Sequence, residues 1–279
     1  MKKSLAVLTA AAGFALATPA SAIVVGGIDF GVLGEAPNNT HLETATLAQT
    51  FITDNGQNAT AYGFITSVNG DTSYCANNGS CGLFYVANFN NSQNFSSTYV
   101  EFTSATIDVY FADDASLNLL DQDSAANLAL IQSMTPWATL SGHANLGGGA
   151  APNAVVNGAG TLTGATLSGS GFGLLDVTGG LAEVVSFLDS DGIPDAAGGF
   201  ADIAYTASFN NEVLNPFDIA NGLAEGCADG SAAVGAWCYQ GTSNLRGDTT
   251  IAQVPAPAPL ALLAIGLFGL GLVSRARKA

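Results

Sequence analysis

The chain of 279 residues carries 22 acidic side chains against six lysines and arginines, a formal charge of -16. Five of the six basic residues lie near the two ends, so residues 23–253 hold one positive against 22 negative side chains, or -21. Such a body repels nucleic acid and anionic membranes, which leaves divalent cations, basic surfaces or neutral ligands as partners, or acidity that only keeps the domain soluble.

At the start, Met1-Lys2-Lys3 puts positive charge ahead of an uncharged apolar run from Leu5 to Ala17. Helix-breaking Pro19 follows, and Ala20-Ser21-Ala22 supplies the small-residue pattern that signal peptidase cleaves. The pattern predicts export through the inner membrane, a signal peptide over residues 1–22 and a mature chain beginning at Ile23, with signal peptidase as its first partner.

Residues 23–253 read as one acidic, all-β extracellular domain of roughly 230 residues, a β-sandwich or jelly-roll-like unit. Tyr62, Phe64 and Thr66 alternate with Gly63, Ile65 and Ser67, and Asn69-Gly70 supplies a hairpin turn. Cys75 and Cys81 follow, then strand runs over Leu83 to Phe89 and Thr98 to Phe102. Ile107, Val109 and Phe111 share one face of a half-buried strand whose other face carries Asp108 and Tyr110. Asp123-Ser124 can cap a helix over Ala125 to Met134, although the same stretch also fits a strand with an irregular lead-in.

From Gly147 to Gly180 glycine is abundant. Gly147-Gly148-Gly149-Ala150 reads as a linker between half-domains, whereas Leu162, Leu167, Leu174, Leu175 and Val177 among the later glycines indicate closely approaching strands. Further strand runs are expected at Val184 to Leu188 and Ile203 to Phe209. Between these runs lies Asp189-Ser190-Asp191-Gly192-Ile193-Pro194-Asp195, where Asp189, Asp191 and Asp195 are candidate calcium ligands. With Asp191 and Gly192 at the fifth and sixth loop positions, however, Phe187 stands where the first ligand belongs and Gly198 where a bidentate glutamate belongs. An Asp-rich turn without an ion accounts for the same residues, and Asp113-Asp114 and Asp121-Gln122-Asp123 are weaker candidates.

Cys227 and Cys238 complete two close cysteine pairs in an exported chain, where oxidising conditions favour disulfides. Three connectivities are open, of which local pairing, Cys75 with Cys81 and Cys227 with Cys238, is the simplest. Neither spacing suits zinc, and His41 and His143 lie far from both pairs in sequence. Catalysis has little support: no G-x-S-x-G elbow accompanies either histidine, and no phosphate-cradling glycine loop occurs. Trp137, Trp237, Tyr239 and Tyr85 are candidates for a sugar-stacking face, with core packing as the plain alternative.

At the far end, Val254-Pro255-Ala256-Pro257-Ala258-Pro259 leads into an apolar run from Leu260 to Val273, closed by Arg275, Arg277 and Lys278. Those fourteen residues predict a short hydrophobic helix, below the roughly 20 residues of a comfortable span, so transient inner-membrane insertion with the basic end inside is expected.

This tail, residues 254–279, resembles the PEP-CTERM class of exosortase-processed proteins, in which a proline motif, an apolar helix and a basic end direct transfer to the cell surface. Val254, Pro255, Ala256 and Pro257 carry the likeness, with Ala256 in place of the usual glutamate. The body resembles a flocculation-associated group of these proteins through Gly63-Phe64-Ile65-Thr66-Ser67-Val68-Asn69-Gly70, Cys81-Gly82-Leu83-Phe84-Tyr85-Val86 and the segments 173–180, 201–209 and 245–247. The resemblance implies an exosortase-like sorting enzyme as partner, release to the cell surface or extracellular matrix, and a non-catalytic part in exopolysaccharide association, flocculation or biofilm cohesion. A secreted carbohydrate-binding module or glycoside hydrolase is the competing expectation.

Overall fold

The computed structural model describes residues 22–33, 39–76, 80–113 and 117–249. Ala20, the motif Val254 to Pro257 and the apolar tail lie outside the described residues. Among the described residues, no helix is long and apolar enough to cross a membrane.

A two-residue pair, β1 (Val24–Val25) and β2 (Ile28–Asp29), precedes long antiparallel strands of alternating burial, β3 (Thr40–Thr50), β4 (Ala59–Val68), β5 (Gly82–Gln93) and β6 (Tyr99–Ala112). Helix α1 (Ser124–Gln132) precedes β7 (Thr135–His143), β8 (Val156–Thr161) and β9 (Ser168–Gly180). Then come α2 (Ala182–Leu188), β10 (Ile193–Pro194), β11 (Phe200–Ala201), β12 (Ile203–Asn210), α3 (Pro216–Ala220) and β13 (Trp237–Gly247).

The sheet runs β3-β4-β5-β6-β7-β9-β12-β13, every neighbour antiparallel, and β13 pairs back onto β3. It is therefore a closed barrel with eight strand positions. β7 and β8 share one position: β6 holds β7 through Thr106 to Phe111 and β8 through Tyr99 to Phe102, and β9 does the same along its length. One wall strand is thus interrupted by an excursion over residues 144–155.

The all-β reading stands, but the sandwich or jelly-roll is replaced by this barrel. A sandwich needs free sheet edges, whereas β12 is paired over its whole length, Ile203 to Asn210, with both β13 and β9. Closure removes the unpaired backbone groups that an edge exposes. The excursion also displaces the expected linker: Gly147 to Ala150 forms a turn, closed by the Ala150 N–H donating to Gly147 O at 3.0 Å, inside one strand position. The later glycines do bring strands close, since a Cβ on Gly169 would lie 2.4 Å from Ala159 O.

Leu42, Ile65, Leu83, Tyr85, Ile107, Val109, Leu140, Leu175, Ile203 and Leu245 are buried in the main core. Tyr62, Phe84 and Val86, at alternate positions to the inward Ile65 and Tyr85, face a second core that includes Ile131 of α1. Helix α1 starts where the sequence places its cap, with the Asp123 carboxylate accepting from Ala126 N–H at 3.0 Å. The Asn69-Gly70 turn also forms, with φ of 50° and 82° and reciprocal bonds between Val68 and Asp71.

One end of the barrel is sealed by β1, β2, Phe30 and α2. Trp137 is 1% exposed, donates its indole N–H to Gly26 O at 3.0 Å and lies 6.4 Å from the Phe30 ring. Gly26 has φ +56°, and a Cβ there would meet the Trp137 indole nitrogen at 2.4 Å, so the seal requires glycine. Val184 to Leu188, expected as a strand, lies in α2. Its two buried residues, Val184 and Leu188, are four apart, which is the spacing of one helix face. The chain enters and leaves at this sealed end, where the Asn39 side chain bonds both the N–H and the carbonyl of Thr249.

Candidate functional site

The acidic flank of the barrel gathers β9, the turn after α2 and the β10–β11 hairpin. Asp202, 2% exposed, lies just before β12, and its carboxylate accepts from the N–H groups of Val177 (2.7 Å), Ser190 (2.8 Å) and Asp191 (2.7 Å). These bonds tie the 189–192 turn to the wall. Asp189 and Asp191, both exposed, have carboxylate oxygens within 4.8 Å of each other and of Asp202. The charge of Asp202 raises the Asp189 carboxyl above its usual range, helped by partial desolvation and by Asp191 and Asp176.

Asp195, expected as the third ligand, does not join them. The β10–β11 pairing of Ile193 with Ala201 and Pro194 with Phe200 turns the chain, and Asp195 bonds within that hairpin instead. Its carboxylate accepts from Gly199 N–H (2.7 Å), Ala197 N–H (2.8 Å) and His143 Nε2 (3.1 Å). Asp202 takes the place of Asp195, and the signal for it was a carboxylate set directly against the apolar strand run that begins at Ile203. As a cation site the group fits in part: calcium takes six to eight oxygens, and both oxygens of Asp202 already accept from backbone donors.

His143 bridges this flank. Nδ1 lies 2.9 and 3.0 Å from the two Asp176 oxygens while Nε2 faces Asp195, so both ring nitrogens meet acceptors and the imidazolium is the favoured form. Burial alone would lower its pKa, but the two carboxylates outweigh burial and raise it. Burial would likewise raise Asp195, yet the hydrogen bonds from His143, Gly199, Ala197 and Asn145 hold it at about 2. A histidine clamped in this way is a cationic clasp between hairpin and wall; among the described residues no serine hydroxyl is hydrogen-bonded to it. His41 is separate, with Nε2 2.9 Å from Asn244 Oδ1.

A buried polar network escaped the sequence reading. Asp218, fully buried in α3, accepts from the Ser124 N–H at 2.8 Å and from its hydroxyl, and Tyr62, Asn127 and Asn215 complete the group. Burial raises the Asp218 carboxyl against these bonds. The network fastens α3 to the start of α1 across 94 residues of sequence, a separation that no local pattern encodes.

The four aromatics proposed for sugar stacking do not form an exposed face. Trp137 (1%), Tyr85 (5%) and Tyr239 (5%) are buried, and Trp237 packs edge-on against Tyr62 with centroids 5.6 Å apart. The cysteines pair locally, Cys75 with Cys81 and Cys227 with Cys238, which indicates an oxidising extracellular or periplasmic environment. Ala22 and Ile23 of the cleavage pattern open the described body, Ala22 exposed and Ile23 half-buried. No protein-family model, curated protein or solved structure matches the chain.

Proposed function

We propose that this chain is a non-catalytic exported protein, processed at both ends and delivered to the cell surface or extracellular matrix, where it contributes to exopolysaccharide association, flocculation or biofilm cohesion. The observation that carries the reading is the pairing of two end signals, Ala20-Ser21-Ala22 and Val254-Pro255-Ala256-Pro257 with its apolar run, around a disulfide-stapled acidic body. Edge closure supports it, because a barrel without free strand edges resists uncontrolled association outside the cell. The body charge of -21 favours neutral or cation-bridged partners.

The test compares intact masses of membrane and surface fractions from cells expressing the chain with and without residues 254–279, alongside the settling rate of each culture. The reading expects a surface form running from Ile23 to near Val254, and slower settling on loss of the tail. A full-length chain held in the membrane, or unchanged settling, overturns it.

A further inference from the structure

The barrel is capped, with a gap of about 20 Å³, at its sealed end and hollow towards the other. A cavity of about 70 Å³ opens there between Ile52, Phe89, Phe102, Tyr205, Phe209 and Tyr239. It shares Gln49, Tyr205, Ala207 and Phe209 with a deeper space of about 30 Å³ that Thr44, Thr46, Tyr85 and Ser243 line with hydroxyl groups. The deep hydroxyls are paired, Thr46 with Tyr85 and Thr44 with Ser243, each at 2.6 Å. Thr44 Oγ1 also accepts from the Ser243 N–H at 3.0 Å, whereas Thr46 keeps a lone pair for a further donor whichever member of its pair with Tyr85 donates.

Three features describe the occupant. The rim is aromatic, which suits a flat or slender apolar body. The depth carries hydroxyls among apolar side chains and no charge: among the described residues no Lys, Arg, His, Asp or Glu lines either space. Burial pushes Tyr85 up to about 12 and Tyr205 higher still, so both phenols stay neutral. An anionic head would meet no counter-ion inside a body of charge -21, and a cationic head would lose its water without a carboxylate to replace it. The void also has a local origin, since Ala61, Ala87 and Ala207 stand where larger side chains would fill the barrel.

We propose that the open end of the barrel binds a small uncharged alcohol or phenol, its apolar part among Phe89, Phe102, Phe209 and Tyr239 and its hydroxyl directed towards Tyr85 and Thr46. The enclosed space is smaller than the roughly 150 Å³ that admits benzene to an engineered cavity. The enclosed part of the ligand is therefore of benzene's size or less, with the remainder at the rim.

The experiment titrates the folded, disulfide-bonded body with phenol, toluene and benzoate, following backbone amide shifts by NMR. Phenol is expected to give saturable shifts on β8, β12 and β13, with contacts from its ring protons to Phe209 and Tyr205, while benzoate gives none. Ala207→Leu, which fills the shared wall of the two spaces, abolishes the shifts. Tyr85→Phe weakens phenol about tenfold relative to toluene, the loss of one hydrogen bond. Absence of saturable phenol shifts in the unaltered protein overturns the proposal. So do shifts that persist in Ala207→Leu, benzoate binding as well as phenol, or a Tyr85→Phe variant that keeps the same phenol-to-toluene ratio.

Discussion

The two ends of the barrel are built from the same strands yet packed differently. At the sealed end, side chains from outside the wall, Phe30, Val184 and Leu188, close over Trp137 and leave a gap of only about 20 Å³. At the open end the loop residues Ile52, Phe95 and Leu162 reach the interior, but Ala61, Ala87 and Ala207 on the wall leave it hollow. An eight-stranded barrel is just wide enough for its own side chains or for one small guest, and the choice turns on a few residue sizes.

The sharpest way to break this contrast is at the seal. Trp137→Ala removes the largest fully buried side chain and its bond to Gly26, and is expected to cost about 3–5 kcal/mol in urea unfolding. A loss below about 1 kcal/mol would show that the sealed end is not the stable half. At the open end, replacing Cys227 and Cys238 by alanine opens a loop of separation 11 and is expected to cost about 2–3 kcal/mol. A midpoint unchanged by reduction of the unaltered protein would contradict this.

Ala207→Leu should move stability by no more than about 1 kcal/mol in either direction, because the added methylenes enter existing space instead of forcing the core apart. A loss of about 3 kcal/mol would mean that the cavity is closed in solution.

The His143 clasp sharpens the comparison on the flank. Its pKa is raised from the ordinary 6.5, so its contribution is complete below that value and is lost as pH rises through the raised one. Asp195 is depressed from 3.8 to about 2, so its contribution is present above 3.8 and fades as pH falls towards about 2. Asp189, raised from 3.8 by its neighbours, adds repulsion as pH rises from 3.8 through its raised value, separately from the loss that follows His143. Melting temperature should therefore be highest from about pH 4 to 6.5. It should fall by about 2 °C on going to pH 8.5, with much of that fall absent in His143→Gln. A flat profile in the unaltered protein would remove the clasp.

The smallest effect expected is that of calcium. Millimolar calcium should raise the melting temperature by less than about 1 °C, since Asp202 is already engaged by three N–H donors and the remaining oxygens bind weakly. A large rise abolished by Asp191→Asn would show that the turn is a built cation site.

The amino-acid sequence by itself determined what depends on near neighbours. Period-two alternation marked the strand around Ile107 to Phe111, Asn69-Gly70 marked a turn with two positive φ angles, and Asp123 offered a cap for α1 while a strand stayed open there until the structure decided. The short spacings also favoured the two local disulfides over the alternatives. Only the tertiary structure decided what depends on partners far away in sequence. Alternation says which side chains share a face but not which strand lies alongside, so closure of β13 onto β3 and the sharing of one position by β7 and β8 were invisible. The apolar run at Val184 became helix because its burial spacing was four and not two. Asp195 left the candidate cation site for His143, 52 residues away, while Asp202 entered it through bonds to a turn more than ten residues earlier. Carboxylates find their partners by position in space, and that position exists only once the barrel has closed.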